Sequence, residues 1–181
     1  MSLDHVVIDP VGVEVRGLAA GALDAAAAEE LKDLLAEHGV LILRGQHLDD
    51  EGFVAFLRRF GLLAFTQGEA PVDGAPDLNL VSNVGRTSPP RSQWHVDTSY
   101  VRVPPAYTAL RAVEIPEQGG ETLFTNQYRA LETLPAALRE RLDGRSIRHV
   151  MTGLSLGEDD ETAAEHPVFR PHPRTGRPAL Y

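Results

Sequence analysis

The hydrophobic positions of this chain change period several times, and each change marks an element. Short apolar pairs between residues 5 and 15 flank Pro10-Val11-Gly12, which predicts two short strands around a turn. Beyond Asp24, the residues Ala27, Ala28, Leu31, Leu34, Leu35 and His38 share one face of a helix. Asp24 stands where an N-cap is needed and Gly39 where a helix stops. Val40-Leu41-Ile42-Leu43 is a continuous apolar run of strand length. Asp49 then caps a second helix, in which Phe53, Phe56, Leu57 and Phe60 keep the i, i+3, i+4, i+7 spacing and Gly61 closes.

The second half reads differently. Residues 64–77 and 83–92 are rich in Gly, Pro and polar side chains and predict loops. Leu78 to Val81, residues 94–101, Tyr107 to Glu114, Glu121 to Thr125 and Ser146 to Met151 predict strands. Residues 127–142 predict one or two short helices broken at Pro135, and 153–165 an acidic, irregular stretch. Pro167–Arg170 and Arg177–Tyr181 predict two strand-like pieces joined by a hairpin turn at His172-Pro173-Arg174-Thr175-Gly176. Strands dominate the middle and the end. The fold class is therefore mainly β with flanking helices, a β-sandwich or jelly roll rather than a doubly wound sheet.

Length and composition narrow the function. A chain of 181 residues supports one good core, so a single domain over 1–181 is expected. A net charge of −9 argues against nonspecific binding to nucleic acid or to an anionic membrane, both of which need basic surface. It leaves room for an anionic small molecule held by a few local arginines. With no cysteine, disulfides, thiolate catalysis and Cys-based zinc sites are excluded, which suits the cytoplasm. No apolar run approaches the roughly 18 residues of a membrane span, and the opening residues lack a signal-peptide pattern.

The candidate chemistry sits at Trp94-His95-Val96-Asp97-Thr98. On a strand, a His and an Asp two apart share a face and offer a metal one imidazole nitrogen and one carboxylate oxygen. These are two of the three ligands of a 2-His-1-carboxylate site, the arrangement that leaves open positions on non-haem Fe(II). The same pattern also describes a surface His beside a solvated Asp. Trp94 offers an apolar shield for one side of a metal, or a core aromatic. The 83–92 loop stands before this pair and serves equally as a substrate lid or as plain surface. Arg86, Arg91 and Arg102 flank it; Arg91 is the best placed to meet an anionic substrate, and each also reads as a solvated arginine.

Several stretches in order resemble one family: Gly39–Gln46, Phe60-Gly61, Trp94-His95-Val96-Asp97, Pro104-Pro105, Gly119–Phe124, His166–Arg170 and His172–Arg177. Together they are similar to the taurine dioxygenase-like enzymes, which depend on Fe(II) and 2-oxoglutarate. The resemblance runs from about residue 10 to the last residue. It implies a double-stranded β-helix of the jelly-roll type, His95 and Asp97 as iron ligands, and Thr122 as a hydrogen-bond donor to the distal carboxylate of 2-oxoglutarate. It implies O2-dependent hydroxylation of an unactivated C–H in a small organic substrate, with release of succinate and CO2. Without the resemblance, Thr122 reads as an ordinary strand residue.

The sequence departs from the family pattern in two places. The family's third ligand, a His, and its 2-oxoglutarate-binding Arg come well after the segment matching Arg177–Tyr181, so this sequence is expected to be part of a longer chain. His149, His166 and His172 are not carried over as ligands. The family's taurine-binding members also have a His where Ala64-Phe65-Thr66-Gln67 stands here, which makes taurine a doubtful substrate. Two other readings stay open: a catalytically incomplete remnant or binding domain of the same fold, and a zinc hydrolase using His95 and Asp97. The expected partner is a small organic molecule, with homo-oligomeric assembly left open.

Overall fold

Val13 and Val15 alternate inward on a strand with a neighbour on each side, and the N-terminal core grows around them. The computed structural model describes residues 2–64, 71–82, 93–152, 157 and 160–181. Strand β1 (His5–Val7) runs antiparallel to β2 (Val13–Val15), as the Pro10-Val11-Gly12 turn predicts. Strand β3 (Leu41–Leu43) lies parallel to β2, pairing Val13 with Leu41 and Val15 with Leu43. A parallel pair needs a crossover, and helix α1 (Ala25–His38) supplies it. Leu31 on α1 is fully buried and packs with Val15, Leu23 and Ala28, surrounded by Leu34, Leu41, Leu43, Phe56 and Phe60.

The helix ends are chemically defined. The Asp24 carboxylate accepts from the Ala27 N–H at 2.8 Å, and Gly39, at φ +80°, donates its N–H to the Leu35 carbonyl. Helix α2 (Asp50–Leu57) starts the same way, with Asp49 accepting from the Gly52 N–H at 2.8 Å.

The rest of the described chain forms two-stranded sheets and short helices. Strands β4 (Pro71–Val72) and β5 (Ala75–Asn79) form a hairpin turning at Gly74, φ +78°. This corrects the loop expected over 64–77 within its described residues 71–77, since β5 starts three residues before Leu78; residues 65–70 lie outside the described residues. Helices α3 (Gln127–Glu132) and α4 (Ala136–Leu142) are separated at Pro135 as expected. Strand β6 (Ser146–Val150) pairs antiparallel with β7 (Ala163–Pro167), whose first residues fall in the stretch expected to be irregular. Strands β8 (Phe169–Pro171) and β9 (Pro178–Leu180) form the predicted hairpin.

The strands expected over 94–101, 107–114 and 121–125 do not form among the described residues. A strand needs a partner for its N–H and C=O groups. Among the described residues no neighbouring strand pairs with these segments, and several of their apolar side chains, among them Leu110, Val113 and Leu123, are exposed.

The C-terminal hairpin is tied back onto the helices. Arg174 bridges Asp33 at 2.6 Å and Glu29 at 3.0 Å on α1, while Arg177 bridges Glu132 at 2.6 Å on α3. No helix among the described residues is long and apolar enough to cross a membrane.

Candidate metal centre

His95 and Asp97 sit on an irregular segment that enters a turn, not on a strand as the spacing suggested. The turn brings their side chains together all the same: His95 Nε2 lies 3.0 Å from Asp97 Oδ1. The other ring nitrogen, Nδ1, is 2.8 Å from the Gln93 carbonyl oxygen. A carbonyl only accepts, so Nδ1 carries the proton of that bond and the neutral ring presents a lone pair at Nε2. That lone pair faces a carboxylate oxygen, and two acceptors at this distance need a cation between them. The cation is a second proton on the ring or a metal ion.

A metal fits the donor set. Two ligands at about 2.1 Å from an ion and at right angles to each other lie about 3.0 Å apart. A His whose far nitrogen is fixed by a backbone carbonyl is also the usual arrangement of an imidazole ligand. The side chains are accessible, with exposures of 71% for His95 and 49% for Asp97. Among the described residues no group of three or more His, Cys, Asp and Glu could hold a metal ion.

Trp94 is 69% exposed, which corrects its reading as a core aromatic. Thr122 is also exposed and follows Gly119 and Gly120, both with positive φ. Gly120 is required there: a Cβ would meet the Pro116 ring at 3.1 Å and its φ is +81°. Among the described residues Thr122 makes no hydrogen bond to His95 or Asp97. Arg91, Arg86 and the whole 83–92 segment lie outside the described residues, as does Thr66. Arg102 is committed elsewhere. It donates its backbone N–H to Glu161 at 2.8 Å and its Nε–H at 2.5 Å, and these bonds, the backbone one foremost, hold the Glu161 carboxyl below its usual range.

The turn carrying the pair is strained and braced. Thr98 takes φ +53°, a conformation that costs a β-branched residue about 1–3 kcal/mol. The braces come from two histidines that the sequence offered with no role. His166 Nε2 donates to the Ser99 carbonyl at 2.8 Å and the Val101 carbonyl at 3.1 Å, and His149 Nδ1 meets Ser99 Oγ at 2.8 Å. Motif position singled out His166, but no sequence signal names a backbone carbonyl as its partner.

A family model described as "Taurine catabolism dioxygenase TauD, TfdA family" matches residues 7–181. The chain is 32% identical, over 97% of its length, to an alpha-ketoglutarate-dependent sulfate ester dioxygenase of Pseudomonas putida, and covers 64% of that protein. It is 29% identical, over 94% of its length, to an alpha-ketoglutarate-dependent sulfonate dioxygenase of Saccharomyces cerevisiae, and covers 46% of it. The crystal structure of a taurine dioxygenase from Burkholderia xenovorans superposes on the whole chain with a TM-score of 0.74 at 30% identity, the chain covering 64% of that structure. The chain thus spans less than two thirds of the length of each of these relatives. With the family pattern running through nearly every residue, the chain belongs to the taurine catabolism dioxygenase TauD, TfdA family.

Proposed function

We propose that this chain carries the metal- and 2-oxoglutarate-binding part of a dioxygenase that hydroxylates a small organic anion. The observation that supports it most is the His95–Asp97 contact, in which a fixed Nε2 lone pair and a carboxylate oxygen converge at 3.0 Å. When bound there, Fe(II) with 2-oxoglutarate and O2 supplies oxidative hydroxylation of a C–H bond, with release of succinate and CO2. The chain's own residues bind and orient. His95 Nε2 and an Asp97 carboxylate oxygen would hold the metal. The Thr122 hydroxyl donates one hydrogen bond to the distal carboxylate of 2-oxoglutarate, on a turn whose glycines allow close approach. Arg91 meets the anionic group of the substrate. The domain over 1–181 is read as a jelly roll, in keeping with its small antiparallel sheets and its likeness to the Burkholderia enzyme.

The names of the relatives support an anionic substrate, since sulfate esters, sulfonates and taurine all carry a sulfur oxyanion. The test is anaerobic titration of the protein with Fe(II) and 2-oxoglutarate, read by the weak visible metal-to-ligand band and then by succinate release in air. The band is expected in the wild-type protein and absent in His95→Ala. A protein that binds Fe(II) without 2-oxoglutarate, or binds neither, would instead be a hydrolase-like site or a non-catalytic binding domain.

A further inference from the structure

Between Ser99 and Arg102 the chain touches the β6–β7 hairpin and its approach at five polar atoms. His166 takes the carbonyls of Ser99 and Val101, His149 takes Ser99 Oγ, and Glu161 takes the backbone N–H and the Nε–H of Arg102. This segment begins two residues after Asp97 and contains the far side of the strained turn at Thr98. Without external contacts, a turn held only by the bonds from Ser99 N to Val96 O at 3.3 Å and from Val101 N to Thr98 O at 3.2 Å would relax, because both are long.

The two histidines form one unit. His149 pairs with Ala164 and Ile147 with His166, so the two histidines lie diagonally on the same face of the hairpin, with ring centroids 5.4 Å apart. Tyr181 closes over both, at 5.2 Å from His149 and 4.9 Å from His166. His166 is only 4% exposed. Burial, with repulsion from His166 added, holds His149 below its ordinary value. The three rings form one aromatic cluster, in which His149 Nε2 has no hydrogen-bond partner among the described residues. An unpartnered buried nitrogen is costly, and a fold that needed only packing at this point would be served better by Leu or Phe.

We propose that His149 and His166 are positioning residues for the metal centre: by gripping Ser99 and Val101 they hold the turn that aims the Asp97 carboxylate at His95. The proposal rests on the metal reading given above. Hydrogen-bonded supports behind a ligand typically govern metal affinity by about tenfold or more, with little change in the ligands themselves.

The test uses Mn(II) binding followed by electron paramagnetic resonance on the full chain, alongside the thermal unfolding midpoint of the metal-free protein. Ser99→Ala removes one hydroxyl and leaves both rings in place; it is expected to weaken Mn(II) binding about fivefold with the midpoint nearly unchanged. His166→Leu is expected to weaken it about tenfold, and His166→Gln, whose amide N–H reaches the same carbonyls, to restore binding to within about twofold of wild type. If Ser99→Ala binds Mn(II) like the wild type, or if the Gln variant loses as much as the Leu variant, the positioning role is wrong. Should His166→Leu fail to fold, Ser99→Ala and His166→Gln still decide. A wild-type protein that binds no Mn(II) overturns the metal reading itself, and this inference with it.

Discussion

The Arg177 guanidinium lies 4.2 Å from the centroid of the Tyr128 ring, and through that ring the C-terminal hairpin is coupled to helix α1. The phenol Oη donates to the Ala36 carbonyl at 2.9 Å, a carbonyl in the last turn of α1 with no partner inside the helix. Tyr128→Phe keeps the ring and its cation contact but leaves that buried carbonyl unpaired. The expected cost is about 1–2 kcal/mol, or a fall of several degrees in the unfolding midpoint. Urea denaturation of the two proteins measures it, and an unchanged midpoint would mean that the carbonyl finds another partner.

Leu31 is the centre of the N-terminal core, with no exposed surface at all. Leu31→Ala is expected to cost about 2–5 kcal/mol, since α1 is capped at both ends and cannot easily collapse into the void. Leu62, fully exposed after Gly61, provides the control. Leu62→Ala is expected to change stability by no more than about 0.5 kcal/mol. Comparable losses in the two variants would mean that the core has been placed wrongly.

What could be read from the sequence follows a physical division. Both ends of the first helix and the start of the second were legible, because Asp24, Gly39 and Asp49 are local chemical signals that act on their own backbone; the second helix ends at Leu57, before the Phe60-Gly61 stop that the spacing predicted. The hairpins at residues 5–15 and 167–180 were legible for the same reason, through their turns. The stretches 107–114 and 121–125 were read as strands from apolar content alone. A strand is a relation between two segments, however, and content does not reveal whether a partner is present. His95 and Asp97 were picked out as a pair by spacing and resemblance, although the geometry joining them is a turn with Thr98 at positive φ, which no β-branched residue announces. The support from His149 and His166 was invisible, because it runs through one hydroxyl and two backbone carbonyls at separations of 50, 65 and 67 residues.

Two histidines give the fold a pH dependence of known sign. Burial lowers His149, with His166 adding repulsion; burial also lowers His172, with Arg174 adding to it. Each binds a proton less readily in the folded chain than at the ordinary histidine value of about 6.5. Their contribution is therefore fully present above that value and is lost as pH falls from there through the lowered folded values. The unfolding midpoint is expected to drop between pH 7.5 and pH 5.5, and the slope to flatten in His149→Asn. Thermal denaturation across a pH series tests this, and a midpoint that rises toward acid pH contradicts it.

Substrate choice is predicted from residues 64–67, which precede His95 and Asp97 in the sequence. The resemblance places a His in taurine-binding relatives where residues 64–67 here offer Ala, Phe, Thr and Gln. A protonated imidazole supplies a sulfonate with both a positive charge and an N–H donor, while the Thr66 hydroxyl supplies a donor without charge. Taurine is therefore expected to stimulate succinate release weakly. Bulkier anions, such as aryl or alkyl sulfates, sulfonates and carboxylates, are expected to stimulate more strongly, with Arg91 carrying the charge recognition. Arg91→Ala is then expected to raise KM for an anionic substrate by about tenfold or more, the loss of a charge-assisted hydrogen bond, and to leave a neutral analogue nearly unaffected. A panel of such compounds, read by substrate-stimulated succinate release in wild type and variant, separates the outcomes. Strong selective stimulation by taurine would overturn the assignment at Thr66, and equal losses for charged and neutral substrates would return Arg91 to the status of a solvated side chain.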